Sequence, residues 1–347
     1  MTDPWTILSF PGHRVYAVPN WDMPRLYLSA RRPLEAWRKA SLYPAFRAQA
    51  RVYRFILMTW AAIGGNVGKT VPTEGPTLSD FLSDCLPGAV SSVIIVGPRG
   101  PTQKFTAVLW DACMNVIGYL KYGETSAARH RVLREFEILA VLPTEFGPRA
   151  LKVGPLGNGV ALLMTPVLGR HVPARLPPSK GVLSYLGALR GTGPRLSLDR
   201  HPWVKALSAL PLAPRYIGGW LGSLEHDEWE VALQHGDFAP WNLVRNGDEI
   251  IRAVDWEYGE LQGFPHIDLA YYVLQLAALI YRWSPSKALT WGVRYLSAWT
   301  PSRVGRPGAE ALVRLAAFSA YHQALVDGHS SDMPLLRWRK AVWGSEP

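Results

Sequence analysis

His235-Gly236-Asp237-Phe238-Ala239-Pro240-Trp241-Asn242-Leu243, followed by Ala253-Val254-Asp255-Trp256-Glu257, is the stretch of this 347-residue chain that decides its fold. The first part has the form H-x-D-x-x-x-x-N. Asp255 comes thirteen residues after Asn242, at the end of an apolar run, Ile250 to Val254. A lone Asp-x-x-x-x-Asn is ordinarily a loop that caps its own turns. Here it stands between two strand-like runs, Val231 to Gln234 and Leu243 onward. A tight loop followed by a short hairpin is therefore expected to bring Asp237, Asn242 and Asp255 to one point. Phosphoryl transfer needs such a set. One carboxylate orients the attacking hydroxyl and takes its proton, while an amide oxygen and a second carboxylate hold Mg2+ on the phosphates.

These residues, with Gly263-Phe264-Pro265-His266-Ile267-Asp268-Leu269-Ala270 downstream, resemble the aminoglycoside phosphotransferase and choline kinase family. The resemblance covers about Ser91 to Ile280. It implies an α+β, two-lobed protein-kinase-like fold, with a small antiparallel β-rich N-lobe and a larger, mainly helical C-lobe. It also implies ATP and Mg2+ as cofactors, Asp237 as the catalytic base, and Asn242 and Asp255 as magnesium ligands. His235 and Asp268 would be structural supports, Asp268 bracing the catalytic loop.

The resemblance can be tested upstream, because a kinase-like N-lobe needs a strand lysine for the α- and β-phosphates and a helical glutamate to position it. Period-two runs predict strands at Ser91–Val96, Lys104–Trp110 and Val116–Lys121, then a helix over Ser126–Leu142. Lys121 ends the third strand, and Glu135 is the expected partner, with Glu137 as the alternative. A strand at Ala161–Met164 leads into Thr165-Pro166-Val167, where backbone groups of Thr165 and Val167 would read the adenine edge. The turn Gly97-Pro98-Arg99-Gly100-Pro101 departs from a glycine-rich phosphate loop, since its prolines carry no amide hydrogen. Gly64-Gly65-Asn66-Val67-Gly68-Lys69-Thr70 imitates a P-loop but has Ile63 where the pattern needs glycine, and it follows a helix rather than a strand.

The expected organisation is an N-terminal extension over 1–88, an N-lobe over 89–168 and a helical C-lobe over 169–347. A basic amphipathic helix is expected from about Ala45 to Ala62, where Arg47, Arg51 and Arg54 mix with Phe46, Tyr53, Ile56, Leu57 and Trp60. Such a helix either packs on the neighbouring lobe or makes a peripheral contact with an anionic membrane. Cys85 and Cys113 read as two buried thiols in a reducing compartment. The N-terminus lacks the order of a signal peptide, and the apolar stretch Phe55–Ile63 is too short to span a bilayer, which together lead to a cytoplasmic expectation. A net charge of +10 favours anionic partners. No basic–aromatic motif accompanies it, so nucleic acid is not expected.

Only twelve residues separate Asp255 from Asp268, too few for a peptide platform, so a small-molecule hydroxyl is the expected acceptor. From Asp268 onward nine Lys or Arg face five Asp or Glu, which disfavours a polycationic acceptor. Glu257 is a candidate acceptor contact; the alternatives are a residue behind the metal ligands or a surface residue. Trp256, Tyr258, Tyr271, Tyr272, Trp283 and Trp291 either line a sugar site or pack the helices. The wording H-G-D-F-A-P-W-N resembles relatives associated with bacterial surface-polysaccharide metabolism, which points to a sugar or glycolipid hydroxyl; an aminoglycoside or amino alcohol remains within the family's range. An inactive kinase-like binding module and a membrane-associated kinase of a lipid-linked sugar are the alternatives.

Overall fold

The computed structural model describes residues 3–30, 33–43, 45, 48–63, 68–73, 77–191, 193–210, 217–225, 228–247 and 250–344. The chain divides into two compact units, Met1–Val141 with Pro148–Pro166, and Leu142–Gly147 with Val167–Pro347.

The first unit is built on one antiparallel sheet. Its strands are β1 (Arg14–Val18), β2 (Leu26–Ser29), β3 (Lys69–Thr70), β4 (Ser91–Val96), β5 (Lys104–Trp110), β6 (Val116–Gly123), β7 (Ala150–Leu156) and β8 (Gly159–Met164), in the order β3-β1-β2-β4-β5-β6-β8-β7. Its helices are α1 (Pro4–Ile7), α2 (Pro33–Ala40), α3 (Ala48–Ala62), α4 (Leu78–Leu82) and α5 (Ser126–Val141). β4 and β5 form where expected because their β-branched and aromatic residues fit a pleated sheet covered on both sides. Successive residues serve opposite cores: Ile94, Ala107 and Leu109 join Trp5, Leu8 and Leu163 on one face, while Val93 and Val108 join Leu26 and Leu57 on the other.

Residues 1–88 do not stand apart as an extension. They add β1, β2 and β3 to the same sheet, and their helices supply core residues on both of its faces. Leu57 of α3 is 1% exposed, a burial worth about 1.5–3 kcal/mol. β7, which contains Gly154-Pro155, is not among the expected strands. The strand tolerates Pro155 because it lies at the sheet's edge, where a missing amide hydrogen breaks no ladder. The two cysteines also differ from expectation, since both Cys85 and Cys113 are free and exposed. Of the P-loop imitation, 64–67 lie outside the described residues. Lys69 and Thr70 pair with β1, and the Lys69 ammonium sits 4.2 Å from the centre of the Trp21 ring.

The second unit is mainly helical: α6 (Lys180–Arg190), α7 (Pro202–Ser208), α8 (Ile217–Gly222), α9 (Ile267–Gln275), α10 (Pro285–Trp299), α11 (Gly305–Val326) and α12 (Pro334–Trp343). Short strands thread through it: β9 (Arg170–His171), β10 (Arg195–Leu196), β11 (Trp229–Glu230), β12 (Ala232–Gln234), β13 (Leu243–Arg245), β14 (Ile251–Ala253) and β15 (Glu260–Gly263). The core is shared by Phe264 and Val273 with Leu312, Phe318 and Trp343. α9 is regular only to Gln275. It continues as a π-turn, Leu276–Ile280, and Arg282 then takes a left-handed φ of 52°. The α+β expectation holds: an antiparallel sheet unit is accompanied by a helical one.

Candidate functional site

Asn242 and Asp255 are placed by a hairpin. β13 and β14 pair with Leu243 opposite Ala253, and the Val254 amide donates to the Asn242 carbonyl at 2.8 Å. Asn242, just before one strand, and Asp255, just after the other, are therefore neighbours. Asp255 has φ 71° and ψ 54°, the left-handed conformation tolerated best by Gly, Asn and Asp. Asn242 closes a 3-10 turn, Pro240–Asn242, whose proline starts it with no amide to waste.

Asn242 ties the loop together. Its Nδ2 donates to both the Asp237 carbonyl and the Asp237 Oδ2, each at 2.9 Å. Both bonds come from the nitrogen, so the amide oxygen is the end turned away from Asp237. The other Asp237 oxygen, Oδ1, accepts from the Tyr271 hydroxyl at 2.7 Å and from Gln275 Nε2 at 3.5 Å. Gln275 Nε2 also donates to the Tyr271 hydroxyl, and Arg339 Nη2 donates to the same oxygen at 3.3 Å. Burial pushes the Asp237 carboxyl up to about 6; repulsion from Asp255 adds to this, while Tyr271, Asn242 and Arg339 oppose it. The residue keeps some surface, but both of its carboxylate oxygens are bonded to protein donors, and desolvation of that enclosed group sets the direction. Burial and the nearby Asp237 charge hold Tyr271 well above the usual phenol range, so it stays a donor.

His235 and Asp268 brace this loop. The Asp268 carboxylate accepts from the His235 amide at 2.6 Å and from the Gly236 amide at 3.0 Å. His235 is fully buried. Its Nδ1 faces the Asp237 amide at 3.2 Å and its Nε2 faces the Val254 carbonyl at 2.9 Å. An amide can only donate and a carbonyl only accept, so the pattern assigns the neutral Nε2-protonated tautomer. His235 thus links the loop to the residue before Asp255. Gly236 has φ 78°, and a Cβ there would collide with the Tyr258 carbonyl, so both conformation and space demand glycine.

The aromatic candidates divide. Trp256 is core, fully buried with Nε1 donating to the Ala253 carbonyl at 3.0 Å, and Tyr272 is fully buried too. Tyr258 donates to Asp327 at 2.8 Å. Trp283 and Trp291 are half-buried beside each other, their ring centres 5.9 Å apart. Glu257 is buried, at 8% exposure. Tyr271 escaped assignment as a partner of Asp237. The available signal was its spacing: Asp268, Tyr271 and Gln275 lie at i, i+3 and i+7 on α9, the face that already braces the loop.

The first unit holds the second group. Lys121 Nζ lies 2.6 Å from both carboxylate oxygens of Glu135, and both residues are buried. The register Lys121↔Leu162 of β6 and β8 carries the lysine, and α5 carries the glutamate. Glu137 points elsewhere, pairing with Arg134 at 3.2 Å on the exposed side. Thr165 is less available for base reading than expected: its amide donates to the Arg149 carbonyl and its hydroxyl accepts from the Arg149 amide, each at 2.9 Å. Val167 opens the second unit's main stretch. In the turn between β4 and β5, the Gly97 amide donates to the Lys104 carbonyl at 2.9 Å and Arg99 donates to the Asp22 carbonyl at 3.3 Å.

The donor set suits magnesium. Mg2+ prefers hard oxygen ligands and commonly takes one or two from protein, the rest from phosphate and water. Asn242 Oδ1 and the Asp255 carboxylate are such donors, with a second carboxylate, Asp237, close enough to feel Asp255. Among the described residues no group of three or more His, Cys, Asp or Glu is arranged as a metal cage.

No family model matches the chain, and no curated protein matches it. Among solved structures it is similar to an ethanolamine kinase of Plasmodium vivax, at 13% identity over 72% of this chain and 81% of that one, with a TM-score of 0.43. It is also similar to a protein of Haemophilus somnus described as a fructosamine-3-kinase, at 14% identity over 76% and 96%, with a TM-score of 0.44. A third likeness is to WbdD, at 15% identity and a TM-score of 0.33, over 61% of this chain and 44% of that one. At such identities and scores, function has to be argued from the site's own geometry.

Proposed function

We propose that this chain is an ATP- and Mg2+-dependent phosphotransferase that transfers the γ-phosphate to a hydroxyl of a small molecule. The observation that carries this reading is the Asp237–Asn242–Asp255 arrangement, in which one enclosed carboxylate is held by an amide nitrogen, so that the amide oxygen is turned away from it, and a second carboxylate lies near enough to raise its pKa. Asn242 and Asp255 would hold Mg2+, which would offset negative charge on the phosphates. Lys121, fixed by Glu135, would hold the α- and β-phosphates. Asp237 accepts the acceptor's hydroxyl proton as its oxygen bonds to the γ-phosphorus; the bond to the β-bridging oxygen breaks and ADP leaves. Oriented groups of this kind act mainly by positioning and electrostatics.

A small acceptor fits the segment after Asp255. The 3-10 turn Trp256–Tyr258 and β15, which pairs with β12, occupy seven of its twelve residues and leave only Gly259 and a short connection to α9, too little for a peptide platform. A sugar or glycolipid hydroxyl is the class favoured by the sequence wording, and the cationic balance of the C-terminal region supports a neutral or anionic acceptor over a polycation.

The test is Mg2+-dependent ATP binding and turnover against sugars, glycolipids, aminoglycosides and amino alcohols. Turnover with one acceptor class establishes the activity. Tight binding without turnover on any acceptor would instead identify an inactive binding module, and absence of nucleotide binding would overturn the reading. Asp255→Ala should weaken Mg-ATP binding about tenfold or more, because it removes the charged cation ligand, while ATP binding without Mg2+ changes little. Tyr271→Phe removes a donor that lowers the Asp237 pKa. The base must be ionised, so the acid limb of kcat/KM should move to higher pH; an unmoved limb would deny Tyr271 that role.

A further inference from the structure

We propose that α3 is a peripheral membrane anchor that lies on an anionic lipid surface. Val52, Phe55, Ile56 and Ile63 recur at i, i+3, i+4 and i+11, so they share one face at and just beyond the helix. That face points outward: the four are 63%, 60%, 55% and 70% exposed, whereas Leu57 on the opposite side is 1% exposed. An ordinary surface helix turns its apolar stripe inward, and α3 shows a second one to solvent. α2 packs beside it, with the Trp37 and Phe55 rings 5.4 Å apart, and adds Leu34 at 71% exposure. Trp60 is partly exposed, its indole Nε1 donating to the Pro19 carbonyl at 2.9 Å, an amphipathic ring of the kind that sits well at a membrane interface.

Charge selects the occupant. From Ala36 to Thr73 the sequence contains no Asp or Glu, but it contains Arg38, Lys39, Arg47, Arg51, Arg54 and Lys69. Arg38 and Arg51 are exposed, while Lys39 is buried on Glu35 and Arg47 lies outside the described residues. A helix with an exposed apolar stripe, two arginines and no acidic residue of its own complements anionic headgroups above acyl chains. A second copy meeting the same face across a two-fold axis would bring like charges together. No helix among the described residues is long and apolar enough to cross a membrane, so α3, about 22 Å long, would lie in the interface plane.

The full chain should be floated with vesicles of phosphatidylcholine alone and of phosphatidylcholine with about one third phosphatidylglycerol. Binding to the anionic vesicles should be at least about tenfold stronger and should weaken with salt. Phe55→Ser/Ile56→Ser and Arg38→Gln/Arg51→Gln should each lose about tenfold. All four side chains reach solvent, so thermal melts of both variants should stay near wild type and report an intact fold. No vesicle binding, equal binding to both vesicle types, or unchanged binding by the serine variant would overturn the proposal. Dimerisation abolished by that variant, without vesicle binding, would assign the face to a second copy instead.

Discussion

Asp237→Asn should reduce turnover by about a hundred- to ten-thousandfold, the usual contribution of a positioned general base, while Mg-ATP still binds. The asparagine keeps the shape and can still accept from Tyr271, but it cannot take a proton from the hydroxyl. The same substitution has a second, opposite signature in stability. The Asp237 carboxyl is pushed from 3.8 to about 6 in the folded protein, so folding favours its protonated form. Its contribution is fully present below the unfolded pKa and is lost as pH rises through the folded one. Between about pH 4 and pH 6 the wild type should therefore lose on the order of 2 kcal/mol relative to the variant. Part of that difference is offset at every pH, because the asparagine NH2 cannot accept from Asn242. Paired unfolding curves at pH 4 and pH 7 measure the slope, which the offset does not alter. Full turnover in the variant would remove Asp237 from the role of base; parallel stability profiles would show that its burial has no energetic consequence.

The ease with which this loop is read from sequence has a local cause. Asp237, Asn242 and Asp255 are joined by a 3-10 turn and one hairpin, so their meeting depends on short-range geometry that period and turn residues report. The Lys121–Glu135 pair is similarly legible, because a strand and the next helix fix its span, although helical phase left Glu137 open until α5 showed which residue faces inward. Tyr271 is different. It reaches Asp237 across 34 residues through the packing of α9, and Arg339 arrives from α12, so no local pattern announces either. The sheet shows the same division. β4 and β5 carry strong β-formers, whereas β1 and β2 are short and gain their strand character from neighbours in the ladder. The buried-thiol expectation failed because cysteine's preference for interiors is a property of averages, while Cys85 and Cys113 sit on connections at the surface.

Glu135→Ala should destabilise the protein by about 3–5 kcal/mol, because it removes the carboxylate that lies 2.6 Å from the buried Lys121 ammonium through both of its oxygens. For a chain of this size the midpoint of thermal unfolding should fall by roughly 4–7 °C. Glu137→Ala, which breaks the exposed pair with Arg134, should cost less than about 1 kcal/mol and serves as the matched control. A third variant separates stability from function. Lys121→Met/Glu135→Leu replaces both charges by apolar groups of similar volume, and a buried ion pair exchanged in this way is often neutral or stabilising. The double variant should therefore melt near the wild type, yet bind ATP at least about tenfold more weakly, since the cation for the phosphates is gone. If it binds ATP normally, Lys121 is not the phosphate ligand, whatever its geometry. If it melts as low as Glu135→Ala, packing rather than an uncompensated charge is what the pair supplies to β6 and α5. A stable double variant without nucleotide affinity would mean that the pair is kept for ATP, since apolar residues can support the fold in its place.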